Sequence, residues 1–348
     1  MLISSILISW YLEKKRNLPW RNTRNPYHIW VSEVVLQQTR VAQGLDYYLQ
    51  FISHFPTISS LANAHEDDVL KQWQGLGYYS RARNLQKGAR QVQEIYNGIL
   101  PNNYEQLLKI TGIGPYTAAA IASFAFNEPV ALADGNVNRV LSRLFGMFDP
   151  INSTVGAKLI LTKATEILDR ANPATHNQAI MEFGATHCTP KKPKCTECPL
   201  QQICYAYIHD QIAVLPIKIA KGATRDRYFH YVLFIHHNSI YVKKRPVDDI
   251  WRGLYEFPVL ETISSEQPST SEWKNLLNTN TIPLLQKNYR HLLSHQTIYA
   301  SFYVARSEEP AFEKSHEIKK IPIAEISQYP VHKLISRFID DFNMLNEI

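Results

Sequence analysis

Cysteine is scarce: the 348 residues hold four, all between positions 188 and 204. A secreted disulfide framework spreads its bridges along the chain, so this distribution excludes one and points to a metal-binding loop. Long apolar runs are missing as well. The best candidate, Leu2 to Leu12, is broken by Ser4, Ser5 and Ser9 and has no basic stretch ahead of it, so it is expected to be the amphipathic first helix of a cytoplasmic protein, nucleoid-associated if bacterial, with no membrane partner. Low-complexity tracts and internal repeats are also absent. At 45% hydrophobic and 20% charged residues, the composition excludes a disordered or collagen-like chain and fits a globular protein of roughly two domains. Acidic residues run short only in the first part. Up to residue 226, 23 Lys and Arg face 17 Asp and Glu, and beyond it 14 face 14. The net +6 is therefore concentrated in one region, which favours a polyanionic partner there.

What is present divides at about residue 205. Before it, apolar residues recur at three- and four-residue spacing with short breaks at Pro, Gly and Asn, the pattern of an all-helical region over 1–205. Val137, Val140, Leu141 and Leu144 form one such face, with Asn136 the expected helix cap. Residues 206–226 read as a connector that buries little. From 227 to 348 the period changes to two: Tyr228 to His236 and Ser239 to Lys243 are expected strands joined through His237 and Asn238, Ile298 to Ala305 another, and Pro330 to Asn343 a closing helix. Thr262 to Glu272 reads as a surface loop. The fold class is therefore multidomain, an all-α region followed by a smaller α+β domain.

Four features carry chemistry. Residues 110–117, Ile-Thr-Gly-Ile-Gly-Pro-Tyr-Thr, lie between an amphipathic stretch from Tyr104 and a small-residue helix from Ala118, giving a helix, a tight glycine hairpin and a helix. Gly112 and Gly114 permit unusual backbone conformations and expose amides that hold phosphate oxygens, so DNA-backbone binding is expected over an ordinary turn. About twenty residues on, Asp134 precedes Gly135, Asn136 and Val137; alone it is a helix cap, but its spacing from the hairpin lets it face the same strand. Glu33 is the only formal charge in Ile29 to Thr39. Burial there would raise its pKa and leave a carboxylic acid near neutral pH, the alternative being an ion pair with Arg21 or Arg40. Cys188, Cys195, Cys198 and Cys204 are spaced Cys-x6-Cys-x2-Cys-x5-Cys. Such a set binds zinc or an iron–sulfur cluster; with one Cys-x-x-Cys pair instead of the two usual in zinc ribbons, one [4Fe-4S] cluster is expected. Lys191, Lys192 and Lys194 make the same loop basic.

Together these motifs resemble the helix-hairpin-helix DNA glycosylase superfamily and, within it, the adenine DNA glycosylases of the MutY family, over nearly the whole chain. The resemblance implies a monofunctional enzyme of base excision repair that acts on double-stranded DNA, flips out adenine mispaired with 8-oxoguanine or guanine, hydrolyses its N-glycosidic bond and leaves an abasic site. It implies DNA held between two helical lobes, a monomer, and no identified protein partner. Glu33 matches the family's general acid and Asp134 its catalytic aspartate. Tyr116 stands where bifunctional relatives carry a Schiff-base lysine, and is expected to hydrogen-bond near Asp134; Asn138 replaces another lysine capable of trapping. Gln38 matches a side chain inserted beside the flipped base, Tyr78 a stacking wedge, and Arg21, Gln178 and Asn136 match substrate-binding positions. Trp251 to Pro258 matches a Nudix-like module without the hydrolase box, so no pyrophosphatase activity is expected. Leu293, Ser294 and His295 match its lesion-sensing loop, with leucine where relatives commonly have phenylalanine. The competing readings are a bifunctional glycosylase/lyase and a non-catalytic DNA-binding protein.

Overall fold

A computed structural model describes residues 2–220, 222, 224–308, 312 and 317–342. Helices α1 (Leu2–Lys14), α2 (Pro26–Leu36), α3 (Val41–His54), α4 (Ile58–Asn63), α5 (Glu66–Gln72), α6 (Ser80–Ile95) and α7 (Tyr104–Leu107) precede the glycine hairpin. After it come α8 (Pro115–Phe126), α9 (Gly135–Phe145), α10 (Thr154–Ile167), α11 (Pro173–Thr186) and α12 (Tyr205–Ile208). The chain divides into two compact units, one of Met1–Asn63 with Asn84–Ala220, the other of Ala64–Arg83 with Lys221–Ile348. No helix among the described residues is long and apolar enough to cross a membrane.

Local chemistry explains the helices that matter most. Asn25 caps α2 by accepting from the amides of Tyr27 and His28, and Pro26 supplies a pre-set φ at the first position. Eight of its eleven residues are buried, Glu33 among them, so this helix has almost no water-facing side. α8 also begins on a proline, and its run Thr117–Ser123 is buried throughout. Those mostly alanine side chains let α2 and α11 pack closely against it. The helix α9 is capped by Asp134, which accepts from Asn136 N and Val137 N, and ends on Gly146 at φ +64. Asn136, expected as the cap, is thus already inside the helix: the carboxylate two residues earlier reaches the orphan amides first.

The connector expected over 206–226 does not behave as one through its first fifteen residues. Ala206 and Leu215 are buried, Ile217 O accepts from Ile151 N at 3.0 Å, and Asn152 exchanges two bonds with the backbone of Ile219. Without a helical or alternating period, its local pattern concealed backbone pairing that only distant residues supply.

In the second unit, strands β1 (Arg225–His236), β2 (Ser239–Lys244), β3 (Tyr255–Glu256), β4 (Val259–Thr262), β5 (Leu284–Leu292), β6 (Gln296–Arg306) and β7 (Ile318–Pro322) form one sheet, with α13 (Thr270–Leu277) and α14 (Lys333–Phe342). The order is β3-β2-β1-β6-β5, with β4 on β1 and β7 on β2. β1 and β6 run parallel from Arg225↔Gln296 to Ile235↔Arg306. Alternate residues of β1 serve two cores: Phe229, Tyr231, Leu233 and Ile235 pack with α14, Val232 and Phe234 with α13. The expected hairpin at His237 and Asn238 is present, His237 at φ +51. The stretch from Thr262 to Glu272 is a loop only in its middle: it begins in β4 and ends in α13, where Ser269 and Glu272 form a capping box. Asn343, expected in the closing helix, lies outside the described residues.

At the glycine hairpin the two glycines differ. Gly112 has φ +82, and a Cβ there would lie 2.9 Å from Asn84 Cβ and 3.1 Å from its backbone. Gly114 caps α8 at φ −86, where a Cβ would meet nothing within 4 Å and no side chain caps the helix start. Replacing Gly112 by Ala is therefore expected to cost about 1–3 kcal/mol, read as a lower thermal midpoint; Gly114→Ala should leave the midpoint within about a degree or two.

Candidate active site

A cavity of about 550 Å³ in the first unit is lined by Arg21, Glu33, Gln38, Tyr116, Asp134 and Asn136 together with Arg16, Met181 and Glu182. A smaller chamber shares Arg21, Glu33 and Met181 and adds Trp20, Phe124 and Gln178. Six of the expected site residues, drawn from four segments of sequence, thus meet in one concavity, and Gln178 stands at its neighbour. Gln178 Oε1 is fixed by Tyr11 OH at 2.6 Å. Gln38 follows the end of α2 at φ +56, a left-handed conformation rare for a residue with a side chain and worth a functional explanation.

Glu33 is 6% exposed. Burial pushes its carboxyl up to about 7, against the opposing pull of a hydrogen bond from Tyr116 and with a further push from the negative charge of Asp134. Tyr116 OH donates to Glu33 Oε2 at 2.6 Å. The tyrosine therefore holds the acid and does not bond Asp134 as expected. Arg21 does not bond Glu33 either. Its Nη2 donates to Glu182 Oε2 at 2.7 Å, and Arg16 adds bonds to both carboxylate oxygens at 2.7 and 2.6 Å. Burial alone would raise Glu182, but these guanidinium groups overcome it and hold the carboxyl down at about 2. Glu182 is thus the anion that occupies the nearby cations, and Glu33 is left with a hydroxyl partner.

Asp134 is also raised by burial, opposed by the amides of Val137 and Asn136 and the Asn136 side chain. Oδ1 accepts from Asn136 N at 2.8 Å and Val137 N at 2.7 Å, and Oδ2 from Asn136 Nδ2 at 2.8 Å. Three N–H donors at a helix N-terminus hold an anion far better than one phenol does. That difference favours the charged form at Asp134 more than at Glu33. The cap and the candidate catalytic role are one geometry.

Behind Asp134, Arg139 Nη2 donates to Asn136 Oδ1 at 3.0 Å and its Nε to Cys188 O at 2.7 Å. One turn along α9, Arg143 donates to Thr189 O at 2.8 Å, Leu215 O at 3.0 Å and Cys188 Sγ at 3.5 Å. Gly184 permits the approach of α11, since a Cβ there would meet Asn136 at 2.7 Å. The four cysteines surround one small cavity. Burial and the neighbouring thiols push Cys195, Cys198 and Cys204 up, Cys198 to about 11, so the set resists joint ionisation unless a cationic centre sits between the sulfurs. Among the described residues no three His, Cys, Asp or Glu side chains converge tightly enough for a single metal ion.

Tyr78, Leu293, Ser294 and His295 line a different cavity, in the second unit, of about 480 Å³. Tyr78, at φ +48 and 45% exposed, lies 2.5 Å by its hydroxyl from Ser294 Oγ.

Comparison with known proteins accounts for both units. Residues 31–161 match the family model described as HhH-GPD superfamily base excision DNA repair protein, 188–204 the iron-sulfur binding domain of endonuclease III, and 230–341 a NUDIX domain. Over 297 residues the chain is 36% identical to an adenine DNA glycosylase of Buchnera aphidicola subsp. Baizongia pistaciae, covering 84% of this chain and 83% of that one. The chain belongs to the adenine DNA glycosylase family. It is also 45% identical over 224 residues to an adenine DNA glycosylase of Mus musculus, across 61% of this chain and 44% of the relative. Among solved structures, that of a thermostable thymine-DNA glycosylase matches with a TM-score of 0.56 and 29% identity, over 60% of this chain and 96% of that one. This glycosylase is accordingly a DNA-binding repair enzyme whose 188–204 loop carries an iron–sulfur cluster.

Sequence reasoning missed Glu182, Arg16, Arg139 and Arg143. Glu182 carried a signal, being the lone charge in Ala179 to Gly184, the same pattern that marks Glu33. For Glu33 the linkage can be tested. A carboxyl of about 7 in the folded enzyme and 4.5 outside it contributes its full stability below pH 4.5, loses it as pH rises towards 7, and is flat above. Glu33→Gln should therefore unfold at a higher temperature than the parent above pH 7, by up to about 3 kcal/mol, with the advantage vanishing below pH 4.5 in calorimetry.

Proposed function

We propose that this enzyme removes adenine mispaired with 8-oxoguanine, or with guanine, from duplex DNA by hydrolysis alone. The observation that carries the reading is a pair of carboxyls in one cavity with unlike partners, a single phenol on Glu33 and three N–H donors on Asp134. Adenine is a poor leaving group until its ring is protonated, and Glu33 gives that proton to a ring nitrogen of the flipped base. The C1′–N bond then breaks with its electron pair going to the base. The sugar becomes oxocarbenium-like and is stabilised, or trapped as an ester, by Asp134. Glu33, now a carboxylate, takes a proton from water as its oxygen attacks C1′, which restores the acid and leaves an abasic site. Tyr116 orients Glu33 throughout. It offers no amine, so no Schiff base forms there and the strand stays intact.

Arg21, Gln178 and Asn136 frame the adenine and its sugar, and Gln38 fills the gap left in the helix. The 480 Å³ cavity with Tyr78, Leu293, Ser294 and His295 reads the opposite base. Backbone phosphates bind at the hairpin amides of Gly112 and Gly114 and at the exposed Lys191, Lys192 and Lys194. Cys188, Cys195, Cys198 and Cys204 hold one [4Fe-4S] cluster, which ties residues 188–204 into a single covalent knot and takes no part in bond cleavage. The enzyme acts as a monomer.

A single-turnover assay on a duplex with one adenine opposite 8-oxoguanine tests this: adenine release with strand scission only after alkali. Asp134→Asn should slow release by at least about a thousandfold while the variant still binds the duplex; near-normal release would sink the assigned roles. Because Glu33 must carry its proton, the rate should fall as pH rises through about 7. In Glu182→Gln the freed Arg21 favours ionised Glu33, so this alkaline limb should move to lower pH; an unmoved limb would mean Glu182 does not control the acid.

A further inference from the structure

The cavity in the second unit lacks an aromatic side chain where the lesion-sensing loop would bring one. Leu293 packs against the domain core, and its amide donates to Gln296 O at 2.8 Å in a tight turn. Rings nevertheless line the same cavity from other segments: Tyr78 and Tyr79, whose hydroxyls are hydrogen-bonded to Ser294 and to the Val331 carbonyl, and Trp251. Trp251 sits at φ +59, a backbone state that persists for a bulky residue only where the surroundings enforce it. The enforcement is visible. Its indole stacks on the imidazole of His332 at 4.0 Å with 11° between planes, and His332 is fully buried beside Tyr231 OH at 3.3 Å. The ring of His291 lies 5.9 Å away at a tilt. The one carboxylate on the cavity wall, Asp249, is engaged by Arg227 and Arg245, so it does not repel a polyanion as a bare charge would. A rigid aromatic plane beside the polar pair Tyr78 and Ser294 has the chemistry of a nucleobase site: one flat face and one hydrogen-bonding edge.

We propose that Trp251 is a specificity-determining residue of this glycosylase, the platform on which the base opposite the adenine stacks, supplying the aromatic surface that the loop lacks at Leu293. His332 is its positioning residue. The inference rests on the reading of this cavity as the site for the opposite base. Its test uses the full-length enzyme and compares single-turnover adenine release opposite 8-oxoguanine with release opposite guanine. Trp251→Leu should lower the ratio of the two rates about tenfold, and Trp251→Phe, which keeps a ring, should recover most of it. A wild-type ratio in Trp251→Leu, or an equal loss of both rates, would overturn the proposal. If the parent enzyme releases adenine equally opposite both bases, the 8-oxoguanine reading itself fails. Tryptophan emission in the Glu33→Gln background then decides the stacking: quenching by a bound duplex that disappears in Glu33→Gln/Trp251→Phe supports it, and identical quenching in both overturns it.

Discussion

A carboxyl group lifted by burial to about 7 is the constraint around which the helical unit is arranged. Taking Glu33 out of water favours its neutral form, and in a helix buried on nearly every side nothing but a hydrogen bond or a cation could reverse that. A phenol provides the hydrogen bond, which orients the acid at small electrostatic cost. The cations are diverted. Arg16 and Arg21 are bound by Glu182, and their bonds hold its carboxyl at about 2 while Glu33, without them, stands at about 7. Two buried glutamates in the same cavity wall are therefore driven to opposite protonation states by which of them has the arginines. Replacing either would change the other.

The anionic partner depends on a different device. At Asp134 the amides at the start of α9 oppose the burial that raises its carboxyl, and the same helix presents Arg139 and Arg143, four residues apart and so on one face, to the carbonyls and sulfur of the cluster loop. Both guanidinium groups are almost fully buried, and their donors are matched by backbone oxygens that have no water to turn to. An ordered 188–204 loop and an ordered helix start are thus parts of one hydrogen-bonded body. The carbonyl of Cys188 is the acceptor that helps seat Arg139 against Asn136, so the cluster loop is tied to the helix start without touching the cavity.

Which features were legible follows from the distance over which each is decided. Glu33 was visible because burial of a helix is written in its neighbours, and the cysteine loop because its four ligands fall within seventeen residues. The change of period at Tyr228 gave the start of the sheet for the same local reason. Partners were not visible. Tyr116 lies 83 positions from Glu33, and Glu182 lies 161 from Arg21, so nothing local separates Tyr116 bonding Glu33 from Tyr116 bonding Asp134. The choice between Asp134 and Asn136 as helix cap was local but close, both being good caps two residues apart, and the carboxylate took the amides. Residues 206–220 misled because their order comes from backbone bonds to Ile151 and Asn152, which composition does not record.

The charge count shows the same limit from another side. The excess of cations before residue 227 suggests a DNA-binding surface, yet four of those cations are committed internally: Arg16 and Arg21 to Glu182, Arg139 and Arg143 to backbone carbonyls. A four-thiolate cluster would subtract about two further charges as a formal count. What remains near neutral in total can still grip a phosphate backbone, because attraction at contact depends on the charges within about 10 Å and on oriented amides, and screening removes the rest. Lys191, Lys192 and Lys194 stand exposed on the cluster loop, and α8 begins without a side-chain cap at Gly114. The two short loops proposed to grip DNA are both held in place by the helices that carry Tyr116 and follow Asp134.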